Sequence, residues 1–222
     1  MNSLSTRSVA EAGVGMKPRE SRGSRWAGVS PCDRHAERRR LLIRAGFELF
    51  GDGGEAAVSV RSVCRTAELN SRYFYESFTD INVFFGALYD QVVIELGKVL
   101  AAALVDFPDA NPARLRAGIR TVLEFTAADR RRGRVLFAGA GANPVFASRR
   151  AAATLQLRRL ILTDRRRIDP ESDPMAREVE AAIYVGALSE MAREWTTGAL
   201  GDDLDLAADA AMRILTPTPI LS

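Results

Sequence analysis

Histidine occurs once in this chain, at His35, and cysteine twice, at Cys32 and Cys64. A disulfide framework or a cysteine-based zinc site needs more thiols at regular spacing, so neither is expected. Catalytic triads and Cys–His pairs would all have to use His35. That residue lies in the charged run DRHAERRR and reads as a solvated or phosphate-facing side chain. Little is left for catalysis to work with, and no enzyme activity, metal or cofactor is expected. Long apolar runs are missing as well. The longest, Val99 to Val105, falls far short of the roughly 18 residues that span a bilayer. The first thirty residues hold no apolar stretch of the signal-peptide kind, so a cytoplasmic protein without membrane contact is expected. Lysine is scarce, with only Lys17 and Lys98, and arginine makes up the rest of the 31 basic residues.

The net charge of +3 is unevenly spread. Residues 1–50 carry ten basic and five acidic side chains, a balance of +5, and the remainder carries −2. A basic end on a slightly acidic body is the asymmetry of a protein that meets a polyanion at one end. Five of those cations, Arg7, Lys17, Arg19, Arg22 and Arg25, fall within residues 1–32. Glycine and serine are scattered there without periodicity, and the segment reads as a disordered basic arm.

Helical periodicity begins at Asp33, a plausible N-cap. Leu42, Ala45, Gly46, Leu49 and Phe50 fall at i, i+3, i+4, i+7 and i+8, one helical face, and GDGG at 51–54 ends it. Ser59 caps a short helix with Val60, Val63, Cys64 and Ala67 on its apolar face. Asn70 caps another, running through Phe74 and Tyr75. Thr79 or Asp80 opens a long helix to about Leu104, and DFPDANP at 106–112 is a loop. Further helices are expected from about Leu115 to DRRRG, briefly at Val135–Phe137, and over 145–167, 175–197 and 203–215. No segment alternates, so the fold class is all-α. The organisation expected is a basic arm (1–32), a three-helix DNA-binding unit (33–78) and a helical body for ligand binding and dimerisation (79–222).

Two short helices joined by about three residues have the form of a helix-turn-helix. Cys64 supplies the small residue inside the first helix, Ala67–Leu69 the turn, and Phe74 the apolar anchor of the second. That leaves Ser71, Arg72 and Tyr73 projecting outward, where an arginine can read guanine bidentately and hydroxyls can reach phosphates. Spacing alone equally allows a helix pair inside an ordinary helical core.

The stretch from Arg39 to Val92, RRLLIRAGFELFGDGGEAAVSVRSVCRTAELNSRYFYESFTDINVFFGALYDQV, resembles the DNA-binding domain of the TetR regulator family. The matching features are a helix ending in Phe before a Gly-containing turn (Phe50, Gly51, Gly54), a Ser opening the second helix (Ser59), and Tyr-x-x-Phe closing the third (Tyr75–Phe78). The resemblance covers roughly residues 34–95. It implies phosphate contacts from Ser59 and Tyr75, with Arg61, Ser71, Arg72 and Tyr73 nearest the bases. Asn70 and Thr79, at the openings of the third and fourth helices, complete the expected DNA-facing set. Two positions depart from the family pattern: Glu68 stands where the turn usually has Gly, and Ile81 where a Lys is common.

The segment YVGALSEMAREWTTGAL, 184–200, is similar to the penultimate, dimerising helix of that family. The helix expected over 175–197 carries two apolar stripes, Val179, Ala182, Ile183, Gly186 and Ala187 on one side and Tyr184, Leu188, Met191 and Trp195 on another. A helix apolar on two sides is buried on two sides, so one stripe is expected inside the protomer and the other against a second copy. The resemblance also implies a small-molecule effector in the body. Phe125, Phe137, Phe146, Tyr184, Leu188, Met191 and Trp195 are its candidate lining, which favours an apolar or aromatic ligand. The arginine runs 130–132 and 165–167 read as charged helix ends facing a C-terminal dipole and solvent. Cys64 reads as a small buried filler. The expected partners are operator DNA and a second copy of the chain, in a ligand-responsive repressor. A ligand-independent activator or architectural DNA-binding protein is the alternative.

Overall fold

The computed structural model describes residues 31–107, 111–137 and 143–216. Of the expected basic arm (1–32), residues 1–30 lie outside the described residues, and Pro31 and Cys32 open the first helix instead. Within them the chain forms nine α-helices, one 3-10 turn at Glu55–Ala57, and no strand. The helices are α1 (Pro31–Gly53), α2 (Val60–Thr66), α3 (Ser71–Ser77), α4 (Ile81–Ala103), α5 (Pro112–Ala128), α6 (Arg130–Phe137), α7 (Pro144–Ile168), α8 (Pro174–Thr197) and α9 (Leu204–Leu215).

Capping sets most of these boundaries. Three of the body helices open with the same device, an Asn or Asp cap followed by proline. Asn111, Asn143 and Asp173 accept from the backbone N–H of Arg114, Val145 and Ala176, and each is followed by Pro at the first helical position. The Pro lacks a hydrogen that would have no partner there, and its fixed φ suits the helix. Of the two candidate caps for α4, Asp80 is the one used: its Oδ1 accepts from Asn82 N at 2.7 Å and Val83 N at 2.9 Å. Gly198 closes α8 in the left-handed region, φ 84°, where glycine has no steric cost.

Two boundaries differ from the sequence reading. α1 begins at Pro31, so Asp33 sits inside its first turn rather than capping it. α6 begins at Arg130, not Val135, because Asp129 accepts from Arg131 N and restarts the helix directly after α5. The run Arg130–Arg132 therefore opens a helix and is not a solvated helix end. Arg131 pairs with Asp129 and lies over the Phe47 ring at 5.3 Å. Arg132 reaches back to donate to the Phe125 carbonyl and covers the Phe125 ring at 4.3 Å. The last turn of α5 thus receives a cation from the helix that follows it. Arg165–Arg167 do lie in the last turn of α7.

Two buried clusters hold the helices together. The larger takes Leu42, Phe50, Val63, Cys64, Phe74, Phe84, Phe85, Leu88, Tyr89, Phe125, Val135, Leu136 and Phe146 from α1 to α7. Its centre is a chain of rings: Phe74 to Phe84 at 5.4 Å, Phe84 to Phe85 at 6.2 Å, Phe85 to Phe146 at 5.4 Å, and Phe146 to Phe50 at 4.9 Å. Tilted and edge-on pairs at these separations add about 0.5–1.5 kcal/mol each beyond their burial. Tyr89 lies against Phe146, and burial pushes its hydroxyl up to about 12, which keeps it uncharged. Burial likewise raises the Cys64 thiol, as expected of an inert filler.

The second cluster joins α5, α8 and α9 through Ile119, Leu123, Trp195, Ala208, Ala211 and Leu215. Tyr184, Leu188 and Met191 pack against it, so this stripe of α8 faces inward as expected. The other stripe faces out: Val179 is 50% exposed, Ile183 61%, and Ala182, Gly186 and Ala187 are exposed as well. Outside the second cluster, Arg116 bridges Asp205 and Asp209, and Arg120 pairs with Asp205, which ties α5 to α9.

α1 and α4 come close at Gly46, where an added Cβ would fall 2.7 Å from Phe84 Cε1 and closer still to Cζ. Phe84 is fully buried among other rings and has nowhere to move. Gly97 on α4 faces open space. The same substitution therefore has opposite signs at the two sites. Gly97→Ala gains about 1 kcal/mol from helix propensity, whereas Gly46→Ala loses about 1–2 kcal/mol net because overpacking outweighs that gain. Urea denaturation midpoints of the two variants check this.

Candidate nucleic-acid interface

The α2–α3 pair is built from its caps and its turn. Ser59 Oγ accepts from Ser62 N at 3.1 Å, and Ser59 N donates to Ser62 Oγ at 2.8 Å, a reciprocal capping box with serine in the second role. At the far end of α2, Glu68 N donates to Arg65 O and Leu69 N to Cys64 O, the paired bonds of a Schellman closure. Such a closure needs its first residue beyond the cap in the left-handed region. Glu68 occupies that position with φ 53°, the one non-glycine residue of positive φ among the described residues. Leu69 then turns inward against the larger buried cluster, and Asn70 Oδ1 accepts from Arg72 N at 2.9 Å to open α3.

Phe74 is fully buried and anchors α3, so the residues on its opposite side are presented outward. Arg61, Asn70, Ser71, Arg72, Tyr75 and Thr79 are all exposed, and so is Ser59 at the opening of α2. Tyr75 is 59% exposed and edge-on to Phe74 at 5.5 Å, which holds the ring while leaving its hydroxyl free to reach outward. Thr79 donates to Asp80 Oδ2 at 3.3 Å.

Tyr73 departs from the expectation that it projects outward: it is half-buried, with the Arg38 guanidinium 4.4 Å above its ring. The reason is a small polar cluster between the start of α1 and the end of α3. Arg38 also lies 3.5 Å from Glu76 Oε2, and His35 Nε2 lies 3.2 Å from the Glu76 carbonyl. His35 is therefore engaged with α3 rather than solvated. Arg72 is 83% exposed, yet its Nε donates to Glu76 Oε1 at 3.0 Å. An exposed i,i+4 pair of this kind holds by only about 0.3–0.5 kcal/mol, so Arg72 is parked and easily released. The sequence reading of His35 as solvated or phosphate-facing misses its contact with α3, and Glu76 and Arg38 carry no expected role there. The i,i+4 spacing of Arg72 and Glu76 is the visible signal for Glu76, and nothing local marks Arg38.

The candidate effector residues are not brought together. Phe125 and Phe146 belong to the larger cluster, with Phe137 packed at its edge. Tyr184, Leu188, Met191 and Trp195 belong with the second. Trp195 Nε1 donates to Leu123 O at 3.0 Å, and the Tyr184 hydroxyl donates to Leu215 O while accepting from Arg165 at 2.6 Å. Most of the seven are thus core residues with filled partners. Phe137 borders a cavity of about 330 Å³ between α6 and α8.

No model of a known protein family matches the chain, and no curated protein matches it. Solved structures do. The chain is similar to a TetR-like transcriptional regulator from Rhodococcus sp. RHA1 at 22% identity, with a TM-score of 0.64 over 81% of this chain and 94% of that one. It is similar to the multidrug binding protein EbrR, solved with imidazole, at 22% identity and TM-score 0.60 over 84% and 94% of the two chains. It is also similar to NalD, the secondary repressor of the MexAB-OprM multidrug efflux pump in Pseudomonas aeruginosa, at 17% identity and TM-score 0.66 over 82% and 95%. The fold is the all-helical fold of these regulators.

The left-handed turn at Glu68 carries a testable cost. An L-residue pays about 1–2 kcal/mol there, offset in part by the greater unfolded-state entropy of glycine. Glu68→Gly should therefore raise stability by about 0.5–1 kcal/mol, read as a higher thermal midpoint, with the helical circular-dichroism signal unchanged.

Proposed function

We propose that this protein is a DNA-binding transcriptional regulator, a ligand-responsive repressor that binds a palindromic operator as a homodimer. The observation that carries the reading is the presentation of α3. Phe74 locks one side into the core, and Ser71, Arg72 and Tyr75 stand exposed on a helix of seven residues capped by Asn70. Such a helix enters a major groove with its first residues toward the bases. Ser59, Arg61 and Thr79 flank it and suit backbone contacts. The TetR-like resemblance includes these same residues, and the similar structures include a transcriptional regulator and a repressor.

Within this reading Arg72 leaves Glu76 to read a base. The weak pair keeps the guanidinium extended without holding it back. Tyr73, beneath Arg38, positions α3 on α1 rather than touching a base. The second copy docks on the outward stripe of α8, where Val179, Ile183 and Gly186 are exposed and a Cβ on Gly186 would meet nothing within the protomer. A two-fold dimer gives an operator of two inverted half-sites, one helical turn or a multiple apart. A ligand that favours a dimer with another head spacing would release DNA by population shift.

Selection of bound duplexes from a random pool with the full chain tests the reading, with an inverted repeat as the expected product. On that operator Arg72→Ala should cost about 1–3 kcal/mol and relax preference at one position per half-site. No enrichment would overturn the reading, and equal losses on cognate and scrambled DNA would move Arg72 to the backbone contacts.

Assembly has its own check. Gly186→Arg sets a long charged side chain on the outward stripe and should yield a monomer by light scattering. An unchanged mass for the variant, or a monomeric wild type at micromolar concentration, would remove the dimer.

A further inference from the structure

The cavity between α6 and α8 has a lining unlike the apolar one expected for an effector. Three arginines, Arg130, Arg134 and Arg193, surround it with the hydroxyl residues Thr196 and Thr197, Gly133 and the ring of Phe137. Gly133 sets its floor: an added Cβ there would fall 2.9 Å from Thr196 Cβ and closer to the hydroxyl, so α6 and α8 touch backbone to side chain. Two lining cations are partly engaged. Arg193 is compensated by Glu190 and Glu194, and Arg134 donates one N–H to the carbonyl of Gly51. Arg130 has no ion pair or hydrogen bond among the described residues. Thr196 and Thr197 donate to Ala192 O and Glu194 O, which leaves their oxygens as acceptors and the guanidinium N–H groups as the donors of the cleft.

We infer that this cleft binds a small organic carboxylate, and that the ligand acts on the DNA-binding helices through Arg134. With Arg193 held by Glu190 and Glu194, Arg130 and Arg134 of α6 are the lining guanidinium groups left to match a carboxylate in geometry and charge. The Phe137 ring offers an apolar wall for the rest of the molecule, and the volume suits a compact acid. The route to the heads is short. α1 has no basic residue in its last turn, and Arg134 supplies the cation at its C-terminal end by donating to Gly51 O. A carboxylate is a stronger acceptor than a backbone carbonyl. A ligand in the cleft draws Arg134 from Gly51, removes that cation from the end of α1, and loosens the seat of α1 on α6.

The coupling to DNA rests on the proposed regulator reading, whereas the binding site does not. Calorimetry on the full chain at millimolar concentrations of benzoate, benzamide and inorganic phosphate separates the two. Benzoate should bind, and benzamide, its neutral isostere, should not. Arg130→Gln should weaken benzoate at least tenfold with the circular-dichroism spectrum and mass unchanged, and Arg130→Lys should restore part of the loss. Equal binding of benzamide, binding of phosphate alone, or an unaltered affinity in Arg130→Gln would overturn the site. On selected operator DNA, saturating benzoate should weaken binding several-fold in the wild type and have no effect in Arg134→Gln. Benzoate that binds without moving operator affinity would overturn the route through Arg134. A chain that binds no DNA would instead overturn the regulator reading, with the calorimetry still reporting on the cleft.

Discussion

The ring contact between Phe74 and Phe84 is the interaction on which the remaining architecture depends. Phe74 is the only fully buried side chain of α3, a helix of two turns that could not persist in water alone. Phe84 passes its position to Phe85 and so to Phe146 and Phe50, which joins α3, α4, α7 and α1 in one stack. The outward display of Arg72 and Tyr75 follows from this inward lock. Gly46 is part of the same constraint, since α1 reaches Phe84 only where it has no side chain.

The turn before α3 shows how geometry was chosen over local ease. A Schellman closure requires a left-handed residue, and the chain places Glu68 there. The closure holds because Leu69, the next residue, packs against the larger cluster and so compensates for the strained backbone. Around the display face the charges are arranged for exchange rather than for stability. Glu76 accepts from Arg72 and neighbours Arg38, and the Arg72 side is open enough to water that the pair holds only weakly. Arg38 differs from Arg72 in being largely covered and laid on Tyr73, so it orients α3 instead of contacting a ligand.

Much of this was legible in the sequence because it rests on local rules. Ser59, Asn70 and the choice between Thr79 and Asp80 marked the helix starts within a residue, since caps act on the next turn alone. The spacing of Leu42, Ala45, Gly46 and Phe50 marked the buried face of α1. The two stripes of α8 were separable by periodicity, and the structure buries one and exposes the other. What escaped were contacts between residues far apart in the chain. His35 and Glu76 are 41 positions apart, and no local pattern joins them. Tyr73 looked outward because the angular position of Arg38 on another helix is invisible in one dimension. The aromatic residues of the body looked like a ligand lining for the same reason: composition lists them together, while packing divides them between two cores.

That division has a consequence for how the molecule opens. Amide groups exchange with solvent through the smallest cooperative opening that frees them, and such units follow buried clusters rather than chain order. The larger cluster includes residues of α1, α2 and α3 together with α4, Val135 and Phe146, so α3 is not expected to open while that cluster stays intact. α9 is different. Its twelve residues are held by Ala208, Ala211 and Leu215 and by exposed ion pairs to Arg116 and Arg120. The hierarchy of exchange thus runs from the C-terminal end inward, and α3, despite being among the shortest helices, shares the slow timescale of the aromatic stack.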